Sequence, residues 1–226
     1  VLEHKTLLER VPLFAGLPAN ELGELTARLR PRRYARGETV CLEGDPGTSL
    51  YIIDKGRVKL GLTSAEGREI ILDLLGPGDV FGELALLDGE PRSANAVAVE
   101  ASEVLLLARD DFLRFVEQHP QAALVLLSTV SHWLRRLTTQ MQDTAFLDVP
   151  ARLARTILRL AEAEEAVHGK AVTPRLTQTD LAGMVGTTRE TLNKWLGFYE
   201  DQGLIRRDKH QIVVLRPDKL RSRTYQ

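Results

Sequence analysis

Residues 176–196 read Leu176-Thr177-Gln178-Thr179-Asp180-Leu181-Ala182-Gly183-Met184-Val185-Gly186-Thr187-Thr188-Arg189-Glu190-Thr191-Leu192-Asn193-Lys194-Trp195-Leu196. Thr177 stands where a helix N-cap belongs, and Asp180 follows three residues on, the pattern of a capping box. Gly186 suits the tight turn that ends this first helix. Thr187 is expected to cap a second helix, with Glu190 completing a second capping box. Two capped helices joined by a glycine turn make a helix-turn-helix.

On the second helix Leu192, Leu196 and Tyr199 share one face and are expected in the core. Arg189, Glu190, Asn193 and Lys194 lie on the other, near the N-terminal end that such motifs place in the major groove. Arginine can grip the O6 and N7 of guanine, and a carboxylate can accept from cytosine N4. Taken alone, this face also reads as a solvated charged surface with Glu190 merely capping. The segment that follows, Gly203 to Leu215, tips the balance. Two short strand-like runs flank a basic turn and form a wing, whose Arg206, Arg207, Lys209 and His210 are placed to touch phosphates.

Upstream, Leu147-Asp148-Val149-Pro150 interrupts a helical pattern, and Pro150 suits the first turn of a new helix. That helix, about 151–167, is expected to bury Leu153, Ile157, Leu158 and Leu160. Residues 111–147 read as a long helical stretch with a break near Pro120. Leu127, Leu134 and Met141 recur every seven residues, with Val130, Leu137 and Thr144 as the companion row. Such an a/d pattern serves a helix packed on its own domain or a dimer seam. Two offset apolar rows on a helix joining two domains favour the seam.

From Gly37 to Arg109 the period changes. Short runs rich in β-formers (Thr39–Leu42, Leu50–Ile53, Val58–Leu62, Glu69–Leu74, Val104–Leu107) are split by turn residues at 43–47, 54–56 and 76–79. Strands this short imply an all-β roll or barrel. Residues 1–30 read as short helices carrying Leu7, Leu8, Val11, Leu13, Phe14, Leu22, Leu25 and Leu29. The expected division is a β-roll domain at 1–110, a long helix at 111–147 and a winged helix-turn-helix domain at 148–226.

Bulk properties set limits. At 226 residues and 43% hydrophobic, the chain can bury real cores. No apolar run reaches the length of a membrane span, no signal peptide is expected, and Val1 in place of Met suggests a trimmed start. The single cysteine, Cys41, sits in a strand-like run and reads as a buried small hydrophobe rather than a redox sensor. It leaves no internal disulfide and no multi-cysteine metal site. The histidines, at 4, 119, 132, 168 and 210, lack metal-ligand spacing. Residues 148–226 carry 14 Lys/Arg against 10 Asp/Glu, a net +4, which leaves −5 on 1–147. This hints at a polyanion partner for the C-terminal part.

Three stretches together resemble the cyclic AMP receptor protein / fumarate–nitrate regulator (CRP/FNR) superfamily. They are Phe81-Gly82-Glu83-Leu84-Ala85-Leu86 with Pro91-Arg92-Ser93-Ala94, then Ala145-Phe146-Leu147-Asp148-Val149, then Thr188-Arg189-Glu190-Thr191. The resemblance covers nearly the whole chain. It implies an α+β fold: an N-terminal cyclic-nucleotide-binding β-roll (double-stranded β-helix or jelly roll), a long dimerisation helix, and a C-terminal winged helix-turn-helix.

The first stretch resembles the family's phosphate-binding cassette. Arg92 offers a bidentate fork to a cyclic phosphate, and Ser93 a hydroxyl. Backbone amides of Gly82, Glu83, Leu84 and Ala85 form an anion nest. By the family pattern Glu83 takes the ribose 2′-hydroxyl. In cyclic-AMP responders a threonine on the long helix faces the adenine amino group, followed by Ser or Asn. Here that position falls on Leu137, with Thr138 and Thr139 next as substitutes. By the same resemblance Arg189 and Glu190 contact bases, Lys194 stands where many members have Arg, and Thr177, Gln178 and Thr188 hold phosphates.

The implied function is a cytoplasmic transcriptional activator gated by cyclic AMP or a related ligand. It would bind inverted-repeat double-stranded DNA as a homodimer and recruit RNA polymerase, with no covalent or metal cofactor. An effector-independent regulator with a vestigial pocket is the alternative. A third class, an enzyme or enzyme regulatory subunit using the same roll, finds no nucleophile–base set, Walker loop or metal cluster to support it, and the winged helix argues against it.

Overall fold

The computed structural model describes residues 2–15 and 17–225, with side chains at 6–15, 17–166 and 169–224; those of His4 and His168 lie outside them. In chain order come α1 (Leu2–Arg10), a single 3-10 turn (Pro12–Phe14), α2 (Ala19–Arg28), β1 (Arg30–Tyr34), β2 (Thr39–Cys41), β3 (Ser49–Lys55), β4 (Val58–Thr63), β5 (Glu69–Leu75), β6 (Val80–Phe81), α3 (Glu83–Leu87), β7 (Asn95–Ala98), β8 (Ser102–Ala108), α4 (Arg109–Gln118) and α5 (Pro120–Phe146). Next come α6 (Val149–His168), α7 (Gln178–Val185), α8 (Arg189–Asp201), β9 (Ile205–Asp208), β10 (Gln211–Val214) and α9 (Pro217–Ser222). Contacts divide the chain into two units, Val1–Gly67 with Ile71–Leu134, and Arg68–Ile70 with Arg135–Gln226.

The roll consists of two four-stranded sheets, in the orders β1-β8-β3-β6 and β2-β7-β4-β5. Strand β3 shows why its middle, Leu50–Ile53, is apolar on both faces. Side chains alternate across a strand. Leu50 and Ile52 therefore join the cluster built with Leu8, Phe14 and Leu22 from the N-terminal segment and with Phe112 and Phe115 from α4. Tyr51 and Ile53 face the other way, into the roll interior with Cys41, Val58, Leu60, Phe81 and Ala96. β8 does the same, with Leu105 and Leu107 on one side and Val104 on the other. Cys41 is buried as expected, and burial pushes its thiol pKa up.

Three strands were not expected from the sequence: β1, β6 and β7. β1 is Arg30-Pro31-Arg32-Arg33-Tyr34, exposed except at Tyr34, and pairs only with β8. A proline and four exposed positions suit a sheet edge. The expected break near Pro120 is real. His119 takes φ −124° and ψ 78°, outside the helical region, as a residue preceding proline tends to.

In the second unit Asp148 caps α6 by accepting from the Ala151 amide at 3.0 Å, and Pro150 lies in the first turn. Leu153, Ile157, Leu158 and Leu160 are all buried. The Asp143 carboxylate pairs with Arg155, tying the last turns of α5 to α6. β9 and β10 form an antiparallel hairpin. Among the described residues no helix is long and apolar enough to cross a membrane, and no group of three His, Cys, Asp or Glu is placed to hold a metal.

Candidate ligand pocket and nucleic-acid interface

Where β6 ends, Gly82 turns the chain into α3 with φ +84°. A side chain fits poorly here. The backbone is left-handed, and a Cβ would stand 2.3 Å from Arg92 Nη1 and 3.2 Å from the Tyr51 ring. Arg92 itself is only 4% exposed. Its backbone is clamped to the turn after β2: Arg92 N–H donates to Asp45 O at 2.8 Å, and Gly44 N–H donates to Arg92 O at 2.9 Å. The guanidinium donates through Nη1 to Gly82 O at 2.7 Å and through Nη2 to Ser49 O at 2.5 Å. It lies 4.9 Å over the Tyr51 ring, which stacks on Phe81 at 4.8 Å. Nε is buried and has no hydrogen-bond partner among the described residues.

The electrostatics are lopsided. Among the described residues Arg92 bonds to carbonyl dipoles and a ring face, not to a carboxylate. A buried charge is stabilised best by an opposite charge with full hydrogen bonding, so this guanidinium is set up to receive an anion. Glu83, 7% exposed, opens α3 beside it. Burial raises the Glu83 pKa, while its own backbone amide and Arg92 pull it back down. Gly82, Glu83 and Arg92 thus come together; Leu84 is half-buried, Ala85 buried and Ser93 exposed.

Thr138 and Thr139 belong to the second unit. Thr138 and Leu137 are half-buried, and Thr139 is exposed with its hydroxyl bonded back to Arg135 O at 3.0 Å. Along α5, Leu127, Leu134 and Met141 are 63%, 59% and 73% exposed. Val130 and Leu137 are half-buried, and Thr144 is exposed, its hydroxyl donating to Gln140 O.

In the second unit the capping box of α7 is complete, with Asp180 N–H donating to Thr177 Oγ1 at 3.0 Å and Thr177 N–H to Asp180 Oδ2 at 3.1 Å. Gly186 closes α7 at φ +69°. The second cap differs from expectation. Thr187 donates its N–H to Ala182 O and belongs to the turn. Thr188 is the cap, accepting from Thr191 N–H at 3.2 Å, and the third helical position is Thr191 rather than an acid, so no capping box forms. Glu190 is nonetheless bound locally: its own backbone amide, the Thr188 hydroxyl and Arg189 lower its pKa. Thr188→Ala is expected to destabilise the second unit by about 1 kcal/mol and Thr187→Ala by under about 0.5 kcal/mol. Urea unfolding followed by Trp195 fluorescence in a Trp133→Phe background measures both.

α8 buries Leu192, Leu196 and Tyr199, as its periodicity implies. The Tyr199 hydroxyl donates to Pro150 O at 2.8 Å, and burial pushes its pKa to about 12. The outer face shows Arg189, Glu190 and Lys194 exposed and Asn193 half-buried. Between α7, α8 and the wing runs a cleft of about 310 Å³ lined by Thr177, Gln178, Arg189, Arg207, Lys209 and His210, among others. Lys209 and His210 form the wing turn, with Lys209 at φ +53°. Glu200 accepts from the Arg207 amide at 2.9 Å and from its guanidinium at 2.6–2.7 Å, and these, the amide first, lower the Glu200 pKa. Among the described residues, that leaves Arg206, Lys209 and His210 as the exposed basic wing groups without such a pairing. A basic cleft beside a helix N-terminus suits a phosphate backbone.

A family model described as a cyclic nucleotide-binding domain matches residues 31–119, and one described as a Crp-like helix-turn-helix domain matches residues 151–223. The CRP-like cAMP-activated global transcriptional regulator of Mycobacterium tuberculosis is 36% identical over 219 residues, 96% of this chain and 98% of that protein. The chain belongs to the CRP/FNR family of transcription regulators. The cyclic AMP receptor protein of Thermus thermophilus is 34% identical, covering 86% of this regulator and 88% of that protein. The solved Thermus thermophilus catabolite activator protein is 32% identical, with a TM-score of 0.54, over 95% and 98% of the two chains. The Xanthomonas campestris regulator CLP, described as c-di-GMP responsive, shares the fold at 24% identity and a TM-score of 0.75, over 87% and 99%. This family member therefore joins a cyclic nucleotide-binding domain to a DNA-binding helix-turn-helix, and its homologues are regulators rather than enzymes.

Sequence reasoning missed two working residues of this regulator. Tyr51 reads as an ordinary strand residue, yet its ring carries the Arg92 guanidinium. Arg152 reads as a surface cation on α6. It donates through Nε to Val185 O at 2.9 Å, through Nη2 to Gly186 O at 3.3 Å and through Nη1 to Leu147 O at 2.8 Å. A cation there meets the negative end of α7 and fixes the glycine turn. The only signal in the sequence was an arginine four residues beyond an N-cap aspartate.

Proposed function

We propose that this CRP/FNR regulator is a transcriptional activator gated by a cyclic nucleotide, cyclic AMP in the first instance. The buried Arg92 guanidinium, facing carbonyls and a ring with Nε unpartnered, is the observation that carries the gate. Gly82, Glu83, Leu84, Ala85, Arg92 and Ser93 hold the phosphate and ribose, and Thr138 or Thr139 meets the base. The names of the relatives in Mycobacterium tuberculosis and Thermus thermophilus support cyclic AMP.

On the DNA side Arg189, Glu190 and Lys194 read bases, and Thr177, Thr188, Lys209 and His210 hold phosphates. Sensor, linking helix and reader divide as 1–110, 111–147 and 148–226. Two copies joined along α5 bind an inverted repeat and recruit RNA polymerase in the cytoplasm.

One observation favours a second reading. Leu137 stands where a hydrogen-bonding threonine is expected, and a leucine offers adenine no hydrogen bond. In that reading DNA binding is effector-independent. Calorimetric titration of the full chain with cyclic AMP and with cyclic GMP, followed by DNA binding with and without each, decides. Saturable heat with cyclic AMP and tighter DNA binding are expected. No heat, no thermal shift and unchanged DNA affinity would establish the effector-free reading.

A further inference from the structure

The first residue of α7 touches two residues of α8. Gln178 Oε1 lies 3.2 Å from Arg189 Nε and 2.9 Å from Asn193 Nδ2. Arginine can only donate, so the Gln178 atom facing it is the carbonyl oxygen, and its two lone pairs serve both donors. The same assignment fixes Asn193. Its NH2 faces Gln178, and its Oδ1 is left buried with no partner among the described residues. Arg189 and Asn193 are four residues apart on α8, one turn of helix, so one acceptor on the neighbouring helix reaches both.

We infer that Gln178 is a positioning residue for base reading, acting through Arg189, and that Asn193 belongs to the same brace. The inference rests on α8 being the reading helix. With Nε held by Gln178, the two terminal nitrogens of Arg189 are the ones left for a base edge. That end of the guanidinium forms the fork that matches O6 and N7 of guanine. A free arginine loses much rotamer freedom on binding, and fixing it beforehand removes part of that loss. Asn193 spends one donor on Gln178 and keeps its acceptor buried, so it does not present that acceptor to DNA. Gln178 thereby influences which sequence is bound rather than only how tightly DNA is held.

The test compares the full chain on a duplex selected with the wild-type protein and on a scrambled duplex of equal length, with and without cyclic AMP. Gln178→Ala is expected to lower the ratio of the two affinities about tenfold, with most of the loss on the selected duplex. Gln178→Glu keeps an acceptor facing both donors; it should preserve the ratio while weakening both duplexes by charge repulsion. Gln178→Lys should tighten both and still lose the ratio, since lysine cannot accept. In an Arg189→Ala background Gln178→Ala should lower the ratio no further.

The outcomes separate cleanly. If Gln178→Ala weakens both duplexes alike while Arg189→Ala still abolishes preference, Gln178 is a plain phosphate contact and the brace is wrong. If Arg189→Ala leaves preference unchanged, the assignment of the reading helix fails and the brace falls with it.

Discussion

Arg92→Ala is expected to abolish cyclic-nucleotide binding. The wild-type guanidinium is buried and already oriented by Gly82 O, Ser49 O and the Tyr51 ring. A phosphate would meet it with little reordering. Hydrogen bonds to charged groups contribute roughly 1.5–3 kcal/mol each. Losing a bidentate pair therefore removes roughly 3–6 kcal/mol, or two to four powers of ten in affinity. Arg92→Lys should fall between, because lysine keeps a charge but cannot form the fork. Both variants leave buried carbonyls short of a donor, so circular dichroism and thermal unfolding must show them folded before titration. Calorimetry with cyclic AMP then reads the affinity. An Arg92→Ala protein that is folded and binds as the wild type does would remove Arg92 from the site.

That arginine was legible only through the resemblance of its surrounding motif. Its neighbours in sequence say nothing of burial, and Tyr51, forty-one residues earlier, gives no hint that it lies under the guanidinium. The fold was more open to reading where one physical signal dominated. β3 and β8 are apolar on both faces because helices cover one side and the roll interior the other, so their runs stood out. β1 hid itself: an edge strand buries one residue in five and carries three arginines and a proline, which resembles a loop. β7, Asn95-Ala96-Val97-Ala98, buries only small alanines and lacks the bulk that marks a strand.

The helix-turn-helix shows the same limit on a finer scale. Thr187 and Thr188 are identical as caps in sequence. The glycine turn decides between them, because the Thr187 amide closes the end of α7 and only Thr188 remains to start α8. The reading face divides similarly. Spacing grouped Arg189, Glu190, Asn193 and Lys194 together, but the fold turns Asn193 toward Gln178 and leaves the other three exposed. Contacts between helices sort residues that periodicity can only place on a side.

Leu134→Glu with Met141→Glu is expected to split a homodimer. On α5, Leu127, Leu134 and Met141 stand 63%, 59% and 73% exposed at seven-residue intervals, more large apolar surface on one helix than water alone accounts for. Burying such side chains fully from water yields roughly 1.5–3 kcal/mol each, and about two thirds of that surface is still exposed here, so six of them across a two-fold seam give roughly 6–12 kcal/mol before association losses. Those losses run to about 4–15 kcal/mol, the same size as the gain, so a dimer would depend closely on these residues. Two facing glutamates per copy would bury like charges without partners, and the seam should open. Light scattering is expected to report a dimer for the wild type and a monomer for the double variant. DNA binding should fall with it. Two reading helices on a two-fold axis reach successive major grooves about 34 Å apart, and joining them makes the second contact intramolecular. A monomer loses that advantage, about 100-fold or more on an inverted repeat, while its affinity for a single half-site stays as it was. A wild-type protein that is monomeric while bound to DNA, or a double variant that remains a dimer, would show that the exposed row on α5 is not the seam.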